Sequence, residues 1–139
     1  MDSTGKKVQF LCEAIQRLGL TNVTAIHGRA EDLAREKAHR EHYDYACARA
    51  LAQMSVLAEL CLPLVKIGGA VVAQKSTDVA DEVDRARPII GQLGGHIESS
   101  VSIHIPHTDI TRKLLVMMKA KPCPEIYPRA YAQIVKKKG

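Results

Sequence analysis

The apolar residues of this chain switch repeatedly between the spacing of a helix and that of a strand, and this alternation constrains the fold most. Helical spacing predicts helices over residues 3–18, 30–38, 55–66 and 78–93. Short apolar runs predict strands over residues 22–27, 43–48, 70–75, 96–105 and 112–119. Alternating strands and helices form a parallel sheet covered by helices, whereas two strands joined by a short turn (106–110) form an antiparallel hairpin. The predicted class is α/β, with a mostly parallel sheet ending in a C-terminal antiparallel hairpin.

The composition indicates one aliphatic domain. The chain has 139 residues, of which 46% are apolar, with a single Phe and no Trp. No apolar run is long enough to span a membrane, and the first residues lack the apolar core of a signal peptide. The four cysteines are widely spaced and form no CxxC pair, which is typical of reduced thiols in a cytoplasmic protein without a metal site. The net charge of +5 is compatible with a nucleic-acid partner.

Arg49 is the first candidate site residue, because it follows the predicted strand 43–48. Ligands of open α/β sheets bind at the carboxyl ends of the strands. A guanidinium at that edge suits a carboxylate, a phosphate or a nucleobase, although an ion pair with a surface carboxylate is an equal alternative. Lys75 ends the next predicted strand at the same edge, where it either meets RNA phosphate or is simply solvated. We expect Glu31, Arg49 and Lys75 to surround one hollow.

Basic residues are frequent towards the C-terminus and form a candidate phosphate-contacting surface. The set comprises Arg112, Lys113, Lys119, Lys121, Arg129 and the run at positions 136–138. For any single member, solubility is the simpler interpretation, whereas together they favour RNA. Residues 122–139 contain prolines and this lysine run, so we expect a basic C-terminal tail after a domain over residues 1–121.

Several sequence words, taken in order, resemble one known family. They are DSTGKKVQFLCEAIQRLGLTNV, GRAED, YDYACARALA, LCLPLVKIGGAVVAQK and RKLLVMMKAKPCPEIYPR, and they extend from Asp2 to about Arg129. They resemble the glucose-inhibited division protein B family, the bacterial small-subunit ribosomal RNA guanine-N7 methyltransferases. The predicted sheet is likewise similar to the Rossmann-like class of S-adenosylmethionine-dependent methyltransferases.

The resemblance implies a cofactor site for S-adenosylmethionine. It places Asp2 where a carboxylate accepts hydrogen bonds from the cofactor ribose, although an Asp at a helix start is also a common cap. It places Ala30 and Glu31 beside the adenine, and the alternative for Glu31 is a carboxylate favoured by a helix dipole. It places Arg49 at the cofactor site facing the target base. RNA contacts are expected from Lys75, Arg112, Lys113 and Arg129.

The implied reaction is methyl transfer to guanine N7 in 16S ribosomal RNA. Because N7 carries a lone pair and no proton, no general base is required, and catalysis comes mainly from positioning the two reactants. No catalytic residue is therefore assigned. A non-catalytic RNA-binding remnant of the enzyme is the alternative, and half of a dehydrogenase is disfavoured because GxGxxG is lacking.

The chain departs from the family pattern at its beginning. The resemblance implies two strands and a Gly-rich cofactor loop ahead of Asp2, which this sequence lacks. Strands 22–27 and 43–48 would then face each other across about 14 Å, three strand spacings. We expect a fragment of a longer product, a second chain that completes the sheet, or a shifted strand 22–27 that pairs with strand 43–48. The isolated chain should bind the cofactor poorly.

Overall fold

A computed structural model describes residues 1–49, 52–76 and 78–136. Among these residues the helices are α1 (Gly5–Arg17), α2 (Ala30–Leu33), α3 (Met54–Cys61), α4 (Ala80–Gln92) and α5 (Tyr131–Lys136). The strands are β1 (Tyr43–Arg49), β2 (Val65–Lys75), β3 (Gly95–His104) and β4 (Thr111–Lys119). None of these helices is both long enough and apolar enough to cross a membrane.

The four strands form one mixed sheet in the order β1-β2-β4-β3. β1 and β2 are parallel, whereas β4 is antiparallel to both β2 and β3. The predicted C-terminal antiparallel pair is thus confirmed. β2 is longer than predicted, because it already begins at Val65. Val65 pairs with Tyr43 and Ala70 with Tyr45, so residues 66–69 form an irregularity within β2.

The hydrophobic core lies between one face of the sheet and helices α3 and α4. Ala73, Leu115 and Met117 point from the strands towards Leu57 and Ile90, and all five side chains are buried. α3 ends at Cys61, earlier than the predicted residue 66, because Pro63 falls in a 3-10 turn over Leu62–Leu64 that leads directly into β2.

The opposite face of the sheet is not covered to the same extent by the described residues. It carries Tyr45 and Cys47 from β1, and both are exposed. Its remaining apolar members are half-buried or exposed: Val72, Val101, Ile103, Leu114, Val116 and Met118. Strict alternation from Ile97 would put Val101 and Ile103 on the core face, but a bulge between Ile97 and Ser99 reverses the alternation of β3.

Residues 22–27 do not form the predicted strand. Their end makes an isolated parallel bridge between His27 and Asp2, in which the Asp2 N–H donates to Ile26 O and the Gly28 N–H donates to Asp2 O. The expectation that this segment shifts to pair with β1 is therefore wrong. The segments around Asp2 and His27 form only this single bridge. Stable sheets generally need three or more strands, so the two segments do not make a sheet of their own.

Residues 122–136 pack on the fold instead of extending from it. Cys123, Pro128 and Ile134 are buried. Arg40 donates to the carbonyl oxygens of Tyr127 and Cys123, each at 2.8 Å. This anchoring gives most of the predicted tail a fixed place, and positions 137 and 138 of the lysine run lie outside the described residues.

Candidate functional site

A groove of about 760 Å³ lies between the Asp2–His27 bridge and the free edge of β1. Asp2, Ala30, Glu31 and Arg49 all line it. These four residues are the ones that the sequence analysis assigned to the cofactor, and they come from three separate parts of the chain. The structure therefore brings them together around one space, although their role in cofactor binding stays a prediction.

Asp2 enters the groove from the segment just before α1. Its Oδ1 accepts a hydrogen bond of 2.8 Å from the Thr4 N–H, so the local capping interaction considered from the sequence does occur. That hydrogen bond, supported by Lys7, holds the pKa of Asp2 below its usual value. The side chain is therefore an ionised acceptor at neutral pH. A carboxylate offers about four acceptor positions, so the bond to Thr4 leaves capacity for ligand hydroxyls.

Ala30 and Glu31 open the short helix α2. The first N–H groups of a helix lack intrahelical partners, so backbone donors are available here beside a small side chain. The Glu31 side chain is buried, and its Oε1 lies 3.5 Å from Arg29 Nη1. α2 ends at Leu33, short of the predicted residue 38. Leu33 and the following Ala34 are buried.

Arg49 is the last residue of β1 and is exposed. Its register partner in β2 is Gln74. Since β1 and β2 are parallel, their carboxyl ends meet at one edge of the sheet. The amino end of β4 reaches the same edge, because Lys113 is the register partner of Lys75.

Lys75 does not join this groove, so the expectation of one hollow shared by Glu31, Arg49 and Lys75 is wrong. Its Nζ lies 2.6 Å from Glu82 Oε1 and also donates to the Ala52 carbonyl oxygen. The same Glu82 oxygen accepts from the Met54 N–H at the start of α3. Lys75 is a core-face residue of β2, because its side chain alternates with that of Gln74. Its charge is neutralised by an ion pair that ties β2, α3 and α4 together.

Arg129 is also engaged within the protein. Its Nε and Nη2 donate to the two oxygens of Glu59 at 2.8 and 2.6 Å, and its backbone N–H donates to Glu59 Oε1 at 2.9 Å. These hydrogen bonds raise the pKa of Arg129 above its usual value. A phosphate contact by Arg129 stays a prediction, but the charge of Arg129 is already compensated by Glu59.

Arg112 and Lys113 are placed differently. Both are half-buried residues at the start of β4. Among the described residues neither forms an ion pair with a carboxylate. The sheet end that carries Arg49 therefore also carries two further cationic side chains.

Sequence reasoning missed the contact partners of two further residues. Tyr131 lines the groove, and the Arg29 guanidinium lies 5.8 Å from the centre of its ring. Lys119, predicted as a phosphate contact, is instead buried and lies 3.0 Å from Glu41 Oε1. No local sequence signal marks either contact, because the partners are far apart in the chain.

The sheet order is that of an S-adenosylmethionine-dependent methyltransferase fold. Two solved structures with low sequence identity share it. The antibiotic-resistance methyltransferase Kmr has a TM-score of 0.60 at 14% identity, covering 86% of this chain and 74% of that one. An rRNA methylase from Streptococcus thermophilus has a TM-score of 0.56 at 18% identity, covering 86% of this chain and 71% of that one.

Sequence comparison identifies the family within that class. The model of the GidB family, rRNA small subunit methyltransferase G, matches residues 1–111, and the chain belongs to this family. The ribosomal RNA small subunit methyltransferase G of Alkaliphilus metalliredigens is 46% identical over 129 residues. That match covers 93% of this chain and 54% of the relative, so the chain spans about half the length of the curated relatives it matches.

Proposed function

We propose that this chain forms the part of an S-adenosylmethionine-dependent methyltransferase that contacts the cofactor nucleoside and faces the target base. The substrate is 16S ribosomal RNA and the product is N7-methylguanine. The observation that carries the proposal is the groove shared by Asp2, Ala30, Glu31 and Arg49 at the ligand edge of the sheet. Family membership supports the reaction type.

Each groove residue has a role that its chemistry permits. The ionised Asp2 accepts hydrogen bonds from the ribose hydroxyls. Ala30 leaves room for the adenine ring, and the backbone N–H groups at the start of α2 address its edge. Arg49 is permanently charged and planar, so it can orient a guanine or a neighbouring phosphate.

The bound cofactor supplies an electrophilic methyl group. Because guanine N7 carries a free lone pair and no proton, the chain needs no residue to deprotonate it. The contribution of the protein is alignment of the two reactants, for which effective molarities in oriented reactions are as high as about 10⁵–10⁸ M. Arg49 is the residue that we assign to orientation of the base.

Arg112 and Lys113 are the basic residues that we assign to RNA phosphate. Each lies at the sheet end that carries Arg49, and neither is neutralised by a described carboxylate. Lys75 and Arg129 are left out of this assignment because Glu82 and Glu59 compensate their charges. Changing Arg112 or Lys113 to Ala should lower the slope of log affinity against log salt by about 0.7–0.9 per residue.

The test is formation of N7-methylguanine in 16S ribosomal RNA, read by mass spectrometry of digested RNA. The chain is assayed together with the part of the Alkaliphilus metalliredigens relative that it does not match, supplied as a separate polypeptide. Arg49→Ala should reduce the rate at least tenfold, whereas Arg17→Ala, at the exposed end of α1, should leave it unchanged. A methyl group on another guanine atom, or equal rates for both variants, would contradict the proposal.

The RNA-binding remnant remains the second candidate, and the basic end of the sheet favours it. It is distinguished by salt-dependent RNA binding that persists in a complex without any methyl transfer. In that case Arg112→Ala and Lys113→Ala weaken binding, while Arg49→Ala has no catalytic rate to change.

A further inference from the structure

A second cavity, of about 330 Å³, lies among the helices and is separate from the groove. Ser55 and Glu59 of α3, Ile89 of α4, Arg129 and Ile134 of α5 all line it. Among the described residues, none lines both the cavity and the groove. Sites for small ligands generally have volumes of about 300–1,000 Å³, so this cavity can hold one compact group.

The cavity lies close to the end of β1 that carries Arg49. Gln53 lines the cavity and follows Arg49 by four positions, so their Cα atoms are at most about 14 Å apart. The backbone on both sides of Gln53 is held in place. Lys75 Nζ donates to the carbonyl oxygen just before it, and Glu82 accepts from the N–H just after it. An RNA strand whose target base faces Arg49 can therefore reach the cavity with a neighbouring nucleotide.

The charges that line the cavity are compensated, with one exception. Glu59 is paired with Arg129, and Glu82 is paired with Lys75. Arg85 also lines the cavity and is exposed. It forms no ion pair with a carboxylate among the described residues. The cavity therefore presents one guanidinium whose charge is not compensated.

A hydrogen-bond acceptor lies one helical turn from that guanidinium. Glu82 precedes Arg85 by three residues on α4, so the two side chains share one face of the helix. Glu82 uses Oε1 for the Met54 N–H and for Lys75, whereas Oε2 accepts no hydrogen bond from the described residues. A carboxylate has about four acceptor positions, so Glu82 can accept further hydrogen bonds from a ligand.

The rest of the lining suits a flat ring with polar edges. Pro88, Ile89 and Ile134 supply apolar surface. Gln92 Oε1 accepts a hydrogen bond of 2.9 Å from the Tyr127 hydroxyl, which leaves the amide N–H groups of Gln92 as donors. Apolar walls with a few placed polar groups are typical of ligand sites, where the polar groups fix the orientation of the ligand.

We propose that this cavity binds an unpaired guanine of the RNA close to the target guanine. Guanine carries two neighbouring acceptors, N7 and O6, and on another edge the donors N1–H and N2–H₂. Arg85 donates to N7 and O6, the commonest specific contact to guanine, and Glu82 accepts from N1–H and N2–H₂. Sequence-specific recognition of RNA generally targets unpaired bases of this kind. The proposal deepens the proposed function and rests on it, because it takes RNA as the substrate.

The experiment measures binding of fluorescein-labelled pentanucleotides to the purified chain by fluorescence anisotropy, without cofactor. The RNA UUGUU should bind at least tenfold more tightly than UUAUU, because adenine has an amino group where guanine has O6, facing the donors of Arg85. Replacement of the guanine by 7-deazaguanine removes the N7 acceptor, and replacement by hypoxanthine removes the N2 amino group. Each replacement should weaken binding at least threefold.

Two variants on α4 locate the guanine. Arg85→Met keeps an apolar side chain but removes the donors, so the preference for UUGUU over UUAUU should fall below threefold. Arg87→Met is the matched control, since Arg87 pairs with Asp84 and neither residue lines the cavity. This control should keep the tenfold preference. Unchanged far-ultraviolet circular dichroism shows that both variants are folded.

Equal binding of UUGUU and UUAUU by the original chain would overturn the proposal. So would a preference that persists in Arg85→Met, and its loss in Arg49→Ala would then place the guanine in the groove. Because the measurement involves no methyl transfer, its outcome is distinguishable from that of the proposed function. Guanine preference without formation of N7-methylguanine would contradict the proposed function alone. Formation of N7-methylguanine together with equal binding of the two pentanucleotides would contradict the cavity proposal alone.

Discussion

The ion pair between Glu59 and Arg129 allows a quantitative prediction of the free energy of unfolding. The Glu59 side chain is 1% exposed and that of Arg129 is 27% exposed. Removal of one partner of a buried ion pair generally costs about 3–5 kcal/mol, because the other charge stays buried without compensation. Arg129→Met removes both guanidinium bonds but keeps the backbone N–H that also donates to Glu59. We therefore expect the lower end of the range, about 3 kcal/mol.

The measurement is the free energy of unfolding from urea titration, followed by circular dichroism. The matched control is Arg87→Met, since Arg87 pairs with Asp84 on an exposed helix surface where both side chains are more than half exposed. Exposed pairs contribute about 0–1 kcal/mol, so this variant should lose less than about 0.5 kcal/mol.

A second variant separates the charge from the packing. Glu59→Gln keeps an oxygen for the Arg129 N–H but removes the negative charge, so Arg129→Met in that background should cost markedly less than in the original protein. The reasoning is refuted if Arg129→Met and Arg87→Met destabilise equally, or if the cost of Arg129→Met is the same in both backgrounds.

The remaining predictions concern pH, thiol chemistry and backbone strain. Burial opposes ionisation of Glu41, but hydrogen bonds to it prevail and hold its pKa below the usual value. Its stabilisation is therefore full above about pH 4.3 and is lost as pH falls through the folded-state pKa, so Glu41→Gln should flatten the acid limb of stability against pH. Burial raises the pKa of Cys61 to about 12, so iodoacetamide at pH 8 should label the exposed Cys12 and Cys47 before Cys61, as mass spectrometry will show. Gly94 has φ +83° and its absent Cβ would meet backbone, so Gly94→Ala should cost at least 1 kcal/mol in urea unfolding, whereas Gly91→Ala, in open space within α4, should stabilise by about 0.5–1 kcal/mol.

The elements with strong local patterns could be predicted from the sequence. α1 and α4 follow from apolar residues at helical spacing, and the strands from 43, 70, 96 and 112 follow from short apolar runs. Residues 22–27 are similarly rich in strand-forming residues but form only one bridge, from His27 to Asp2. A strand needs a neighbouring strand to hydrogen-bond with, and local propensity does not specify that partner. The groove residues were located through the sequence segments that resemble the family, because each position was matched to the family residue by residue.

The partners of the charged side chains could not be predicted. Lys75 and Glu82 are seven residues apart, and Arg129 and Glu59 are 70 apart, yet each pair is in contact. From the sequence alone, each of these basic residues was an equally good candidate for RNA. The sheet face to which Val101 and Ile103 point could not be predicted either, because one bulge in β3 reverses the face of every later residue.

The sequence by itself determined the order of most helices and strands and the antiparallel end of the sheet. These depend on patterns between near neighbours, for which periodicity and turn chemistry suffice. Only the tertiary structure decided which cations are compensated, which sheet face stays uncovered and where the open edge of β1 lies. Those properties arise from contacts between distant parts of the chain, whose geometry is fixed only when the layers pack together.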